Sequence, residues 1–328
     1  MSVGFAIWRK PGEIPLGING EFQLSDIEDM HLRDGFVFSP WDASSLCYYL
    51  EGNVVSETET LRTWADSADS GQSEDMAFMS PSAWSDYIQN IHLKISLGHV
   101  QKVVAARQTA VPVLVSLFDA FTTACKRYPE AFVSLVFHPQ FGVWLGATPE
   151  ILLQPNGASW ETVSMAGTLL HEGAGWTEKE HEENTATQQF MEQVFQKMGA
   201  QIQSAGETEH IRAGALHHLV KRYRFTIDQN KIQELIANLH PTPAVGGLPR
   251  NEALSIIAVH EKNPRGLFAG YIGFYQKGNP HLWVNLRCCE WLGESAVLYA
   301  GAGINALSDA RAEWEETAAK MNTIGSCL

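Results

Sequence analysis

The chain of 328 residues has no run of about 18 apolar positions, which excludes a membrane-spanning helix on hydropathy. Cysteine is scarce. Cys47, Cys125, Cys288, Cys289 and Cys327 form an odd set without metal-ligand spacing, so reduced thiols are expected rather than a disulfide or zinc framework. Basic residues are also few: 23 Lys and Arg stand against 37 Asp and Glu, a net charge of −14 that disfavours nucleic acid as a partner. Neither a repeat nor a convincing interdomain linker is visible. What is present is a globular composition, 45% hydrophobic and 10% aromatic, able to bury a large core. The opening residues lack the charge order and apolar length of a signal peptide, and a soluble, cytoplasmic protein is expected.

The spacing of apolar residues predicts an α+β protein: antiparallel sheets flanked by helices, not strict βαβ units. Short runs at 4–8, 35–38 and 46–50 read as strands. Trp64 to Ser82, rich in Ser, Asp and Gly, reads as a surface loop. Helices are predicted at 83–97, ending at Gly98, and at 113–128, with Pro112 near the first turn. Strands follow at 103–111, 131–137, 143–147, 151–154 and 160–168. A long helix covers 177–198, and strand 217–227 follows. Short helices are placed at 231–237 and 251–260, strands at 270–276, 282–289 and 296–300, and a last helix at 309–324.

In the long helix Phe190, Met191, Val194, Phe195 and Met198 mark the buried face. At about 100° per residue Glu180 and Glu183 project onto the same stripe, while Glu178 and Glu182 fall opposite. In the last helix Trp314, Ala318, Met321 and Ile324 define the apolar arc, with Glu313 and Lys320 at its edge and Glu316 further round. Buried carboxylates cost several kcal/mol each unless paired or metal-bound. Hard oxygen donors of this kind suit Mg²⁺. A capping box formed by Thr177 and Glu180 explains part of the same pattern without any metal.

Tyr299-Ala-Gly301-Ala-Gly303 precedes the last helix and partly matches a dinucleotide fingerprint. Only 25 residues follow Gly303 in the 328, too few for the next parallel strand and its acidic ribose ligand, so that reading is rejected. The glycines fit either a close approach to an anion or a tight strand-to-helix turn.

Several segments together resemble the chorismate-utilising enzymes, the family of isochorismate, salicylate, anthranilate and aminodeoxychorismate synthases. They are Gln101-Lys-Val-Val-Ala-Ala-Arg107, Gly146-Ala-Thr-Pro-Glu150, Met165-Ala-Gly-Thr168, Lys179-Glu-His-Glu-Glu-Asn184, His218-Leu219 and Leu239-His-Pro-Thr-Pro-Ala-Val-Gly-Gly-Leu-Pro-Arg250. Leu286-Arg287, Ala300-Gly-Ala-Gly303 and Glu313-Trp-Glu-Glu-Thr-Ala-Ala-Lys320 complete the set, which spans about residues 98–324. Residues 1–95 are less recognisable and are taken as the N-terminal part of the same domain, with 96–328 the catalytic region.

The resemblance implies one large domain around a deep site holding Mg²⁺ and chorismate. By that likeness Glu183 and Glu316 are metal ligands, supported by Glu180 and Glu313. Lys102 matches the general base and Glu150 the general acid. His218, Ala244, Arg287, Gly301, Gly303 and Lys320 match substrate-contacting positions. The string His240-Pro-Thr-Pro-Ala244-Val-Gly-Gly resembles isochorismate synthases, whereas salicylate-forming members usually carry Thr at the place of Ala244. The phrase of the ammonia-using members, ending in Gly-Ala-Pro-Lys, is absent. The resemblance therefore implies water addition at C2 of chorismate with loss of its C4 hydroxyl, no glutaminase subunit, and a monomer. Asn184 stands where the family usually has His, and His181 where it has Arg, and the alternative that this departure implies is a chorismate-binding homologue of impaired turnover.

Overall fold

A computed structural model describes residues 3–27, 34–41, 46–69, 71, 76–170 and 175–328. Two large sheets form its frame, one of eight strands and one of ten, and each paired strand runs antiparallel to its neighbour. Their inner faces meet across an apolar layer in which the Phe132 and Trp283 rings stack at 4.1 Å. Such aromatic pairs bury large areas and dominate a core of this kind.

Seven α-helices cover these sheets among the described residues. Leu117–Arg127 lays Leu117, Phe118, Phe121 and Ala124 on the eight-stranded sheet. Glu178–Met198 packs Met191, Val194 and Phe195 beside the ten-stranded sheet. Ala310–Gly325 packs against strand Ser295–Ile304 through Met321 and Ile324. No helix is long and apolar enough to cross a membrane among the described residues.

Several sequence expectations change. The helix expected from 113 begins at Leu117 and is capped by the Ser116 hydroxyl, so Pro112 instead ends strand Lys102–Pro112. The region expected as a loop from Trp64 includes the end of helix Thr58–Asp66, and residues 70 and 72–75 of that loop lie outside the described residues. Strands Gln201–Ala205 and Glu209–Ala213 were not anticipated; they are largely exposed edge pairs and carry no apolar alternation.

Two further changes shape the candidate site. The single strand expected at 282–289 is two, Asn279–Val284 and Cys288–Trp291, separated by a break that holds Arg287 at φ 49°. A positive φ in a residue with a side chain costs on the order of 1–3 kcal/mol and persists where its surroundings over-determine it. The last strand runs to Ile304, so Gly301 and Gly303 lie inside it, opposite Ala106 and Val104. The strand-to-helix turn reading of these glycines is thereby corrected.

Candidate active site

At the junction of the two sheets lies a cavity of about 60 Å³ lined by Glu150, Glu183, His218, Ala244, Arg287, Gly301, Gly303 and Lys320. Met165, Ala166, Gly167 and Thr168, the third of the family-like segments, form another part of its wall. Lys102 is not among its lining residues; it lines a separate cavity of about 400 Å³ that shares Glu183, while its Nζ is buried against that carboxylate. Glu180, Glu313 and Glu316 are likewise absent from the wall and gather behind Glu183 and Lys320.

Glu150 follows Thr148-Pro149 at the turn between strands Gly142–Thr148 and Ile151–Asn156. It is not the solvated turn residue its position suggests. Its backbone carbonyl accepts from the Val284 amide at 2.9 Å, and the Thr148 hydroxyl donates to the Val284 carbonyl at 2.6 Å, tying the turn to the neighbouring strand. The side chain is 3% exposed and makes no ion pair among the described residues. Burial pushes its pKa up to about 8, against the opposing positive charges of Lys102, Lys320 and Arg287.

Arg287 donates to the Thr323 hydroxyl at 3.1 Å and to His218 Nε2 at 2.7 Å. His218 Nδ1 then donates to the Gly167 carbonyl at 3.2 Å, which fixes one neutral tautomer. Burial and the adjacent guanidinium hold this histidine's pKa well below its ordinary value. Arg287 is fully buried without a carboxylate within ion-pair distance among the described residues, and its pKa falls to about 10 through burial. A fork-shaped cation in this state has the chemistry to receive a carboxylate.

The carboxylate cluster stands beside that arginine. Lys102 Nζ meets Glu183 Oε1 at 2.9 Å, and Lys320 Nζ meets Glu316 Oε1 at 2.6 Å while donating to the Gly301 carbonyl at 2.9 Å. Lys179, a functional position that the sequence reading missed, sits 2.8 Å from Glu313, 3.7 Å from Glu316 and 3.8 Å from Glu180. Its i,i+4 relation to Glu183 was the available signal. Burial works against ionisation of both groups, but the charges around Lys179 raise its pKa and the lysines around Glu183 lower that of the carboxylate. Glu180 serves both readings made of it: Oε2 accepts from the Thr177 amide and hydroxyl as a capping box, and Oε1 faces Lys179.

The last helix buries Glu313, Glu316, Thr317, Met321 and Ile324, while Ala318, placed on the apolar arc from the sequence, is exposed. Glu316 thus faces inward, not further round. Gly303 leaves room for the cluster: a Cβ there would lie 1.9 Å from Glu183 Oε1 and 2.8 Å from Lys102 Cε.

In donor chemistry these residues fit a hard divalent cation: Glu180, Glu183, Glu313 and Glu316 are buried carboxylates paired with Lys102, Lys179 and Lys320, and Glu313 Oε2 is buried without a hydrogen-bond partner. As they stand, with lysines between them, no three acidic, imidazole or thiol groups form a ready-made metal cage among the described residues. Asn184, the departure from the family pattern, is 2% exposed; its Nδ2 donates to the Ala166 and Leu219 carbonyls, both at 3.1 Å, and its Oδ1 accepts from Gln188. It clamps the two strands where their register shifts between Ala166 and Thr168, next to Gly167 and His218.

The chain is similar to known proteins in sequence and in fold. The isochorismate synthase EntC of Escherichia coli K12 is 32% identical over 249 residues, 67% of this chain and 64% of that protein. The chain therefore spans just under two thirds of that relative's length. The crystal structure of DhbC from Bacillus anthracis superposes with a TM-score of 0.80 at 20% identity, covering 98% of this chain and 96% of that one. Anthranilate synthase component I of Streptococcus pneumoniae gives 0.69 at 17% identity over 98% and 91% of the two chains, so the fold is common to different chemistries. The family model described as chorismate binding enzyme matches residues 49–328, and the chain belongs to that family.

Proposed function

We propose that this protein converts chorismate to isochorismate in a Mg²⁺-dependent reaction. The observation that carries the reading is Glu150, a fully buried carboxyl with a pKa near 8 that lines the same cavity as Arg287, His218 and Lys320. A carboxyl that keeps its proton at neutral pH is what protonation of a departing hydroxyl requires.

In this reading Glu150 hands its proton to the C4 hydroxyl of the substrate. Arg287, oriented by His218 and Thr323, engages one substrate carboxylate as a two-point fork. Glu183 and Glu316 would hold the cation, with Glu180 and Glu313 supporting them, and Mg²⁺ bound there would anchor and neutralise a substrate carboxylate. Lys102 takes a proton from water only in its neutral form, so the ion pair with Glu183 must open in the working enzyme. Lys102 Nζ is buried, so the water it acts on must reach it from the substrate cavity side or through the neighbouring cavity once that ion pair opens.

The relative named isochorismate synthase supports water as the nucleophile. Ala244 in the cavity wall supports stopping at isochorismate, because salicylate-forming members usually carry Thr there. A monomer working in the cytoplasm without a glutaminase subunit completes the proposal. Incubation of purified protein with chorismate and Mg²⁺, followed by chromatography, tests it. Isochorismate is the expected product. Salicylate and pyruvate together would move the assignment to the lyase-coupled reaction, a product that forms only with ammonium would move it to an aminating one, and no product between about pH 6 and 9, where such an acid and base could both be poised, would defeat it.

A further inference from the structure

The cavity that holds the chemistry is not the large one. At about 60 Å³ it is well below the roughly 300–1,000 Å³ of pockets that enclose drug-sized ligands, so a ring-bearing dicarboxylate enters by displacing side chains. Three wider cavities adjoin it. One of about 740 Å³ shares Pro149, Met165 and Arg287 with it; one of about 440 Å³ shares Phe268 and Tyr299; one of about 400 Å³ shares Glu183.

Their charges sort them. The cavity beyond Glu183 is also lined by Glu178 and Glu182, with Lys102 the opposing charge. In the cavity beyond Phe268 and Tyr299, Arg265 is engaged by Glu261 at 2.7 Å, Lys262 and Asp86 also line it, and Arg107, held by the Thr317 hydroxyl and the Trp314 carbonyl, is the one arginine without a carboxylate partner among the described residues, while the Phe268 and Tyr299 rings stack at 5.8 Å between it and the chemistry. The widest cavity gathers three such arginines. Arg127 donates to the Ser326 carbonyl at 2.6 Å and Arg212 to the Gly214 carbonyl at 2.8 Å, neutral partners that leave both positive charges uncompensated, as Arg287 is at its inner end. Of the two carboxylates that line it, Glu161 is occupied by Arg222 at 3.3 Å, leaving Glu130 as the opposing charge.

We propose that this widest cavity is an anion-collecting vestibule, through which a dianionic substrate is drawn past Arg127 and Arg212 to Arg287. The inference rests on the chorismate reading above. A concave basic surface in a chain of net charge −14 concentrates an anion locally where the rest of the molecule repels it. Arg287 stands at the inner end, held in place by its bonds to Thr323 and His218, and a carboxylate arriving through the vestibule meets the donors that these bonds leave free.

Steady-state turnover of chorismate at ionic strengths from about 0.02 to 0.3 M tests this, because screening shortens the reach of exposed charges over that range. Wild type is expected to lose about tenfold in kcat/KM as salt rises. The Arg127→Glu/Arg212→Glu pair is expected to start about tenfold lower, mainly in KM, with a flattened salt dependence. Lys262→Glu, on the rival cavity beyond Phe268, should follow wild type. The Arg127→Gln/Arg212→Gln pair keeps amide donors without the charge, and its intermediate loss separates the field from the fold if the glutamate pair does not fold. A salt slope and KM unchanged in both pairs, or the same loss from Lys262→Glu, would overturn the vestibule while leaving the function standing. A wild type that neither binds nor turns over chorismate removes both readings.

Discussion

Glu150 and Glu183 line one cavity and are buried to the same degree, yet they sit in opposite protonation states near neutral pH. Glu150 feels its cations only from a distance, so desolvation wins and the carboxyl keeps its proton to about 8. Glu183 has Lys102 at 2.9 Å, and the nearby lysines hold its pKa below the ordinary value despite equal burial. Burial raises the stakes; the nearest partner decides the outcome. One carboxyl is made an acid and the other an anion by placing a lysine against one and not the other.

The largest expected effect comes from the proton-bearing side. Glu150→Gln preserves shape and removes the transferable proton, and kcat is expected to fall by about 10²- to 10⁴-fold. Its stability signature has the opposite sign to that of a paired carboxylate. Because the folded pKa lies above the ordinary 4.5, the native state holds a proton that the unfolded chain releases. That contribution is complete below 4.5 and is lost as pH rises to about 8. Thermal melts of wild type against Glu150→Gln across this window should therefore diverge, with wild type losing ground as pH rises. Parallel curves would place the pKa of Glu150 near that of an ordinary carboxylate and remove its claim to be the acid.

The anionic side is probed by Gly303→Ala and Glu183→Gln together. Glu183→Gln leaves the buried ammonium of Lys102 without its anion, which costs on the order of 3–5 kcal/mol, and should abolish stabilisation by Mg²⁺ in thermal melts. Gly303→Ala keeps every charge, but its Cβ would fall 1.9 Å from Glu183 Oε1. That atom ends a flexible side chain, so the carboxylate is expected to swing aside and Mg²⁺ stabilisation to shrink with little loss of fold. Gly301→Ala is the control: its nearest neighbour, Val104 Cγ1, is 3.0 Å away and no carboxylate is displaced. Equal responses from the two alanines would dissolve the link between Gly303 and the acidic cluster.

How far the sequence reveals these two environments follows from the same contrast. Glu183 was legible because the apolar stripe of its helix continues onto the site, so one face predicts both. Glu316 was not, because the face that its helix turns to the site is polar. Ala318 looked like core and is exposed, while Glu313, Glu316 and Thr317 are buried. Arg287 could be named from a motif, but its backbone break could not, since Leu282 to Cys289 reads as one apolar strand. The sheets were legible wherever strands alternate or are wholly buried, and were lost at Gln201–Ala205, which is exposed at every position.

Asn184 gives the smallest expected effect and the finest test of the comparison, since it supports neither carboxyl directly. Its position between the Ala166 and Leu219 carbonyls uses both hydrogens of one amide nitrogen, a geometry that imidazole lacks because each of its nitrogens carries at most one hydrogen. The site is 2% exposed and the helix places it against two strands, so a larger ring must displace backbone. Asn184→His, which restores the usual family residue, is expected to lower stability by about 1–3 kcal/mol through overpacking. It should also raise KM more than it lowers kcat, because the strand shift it disturbs carries Gly167 and the His218 that orients Arg287. A gain in turnover from this change would instead mean that the amide is a defect, and that the clamp seen here is what remains after a more active arrangement was lost.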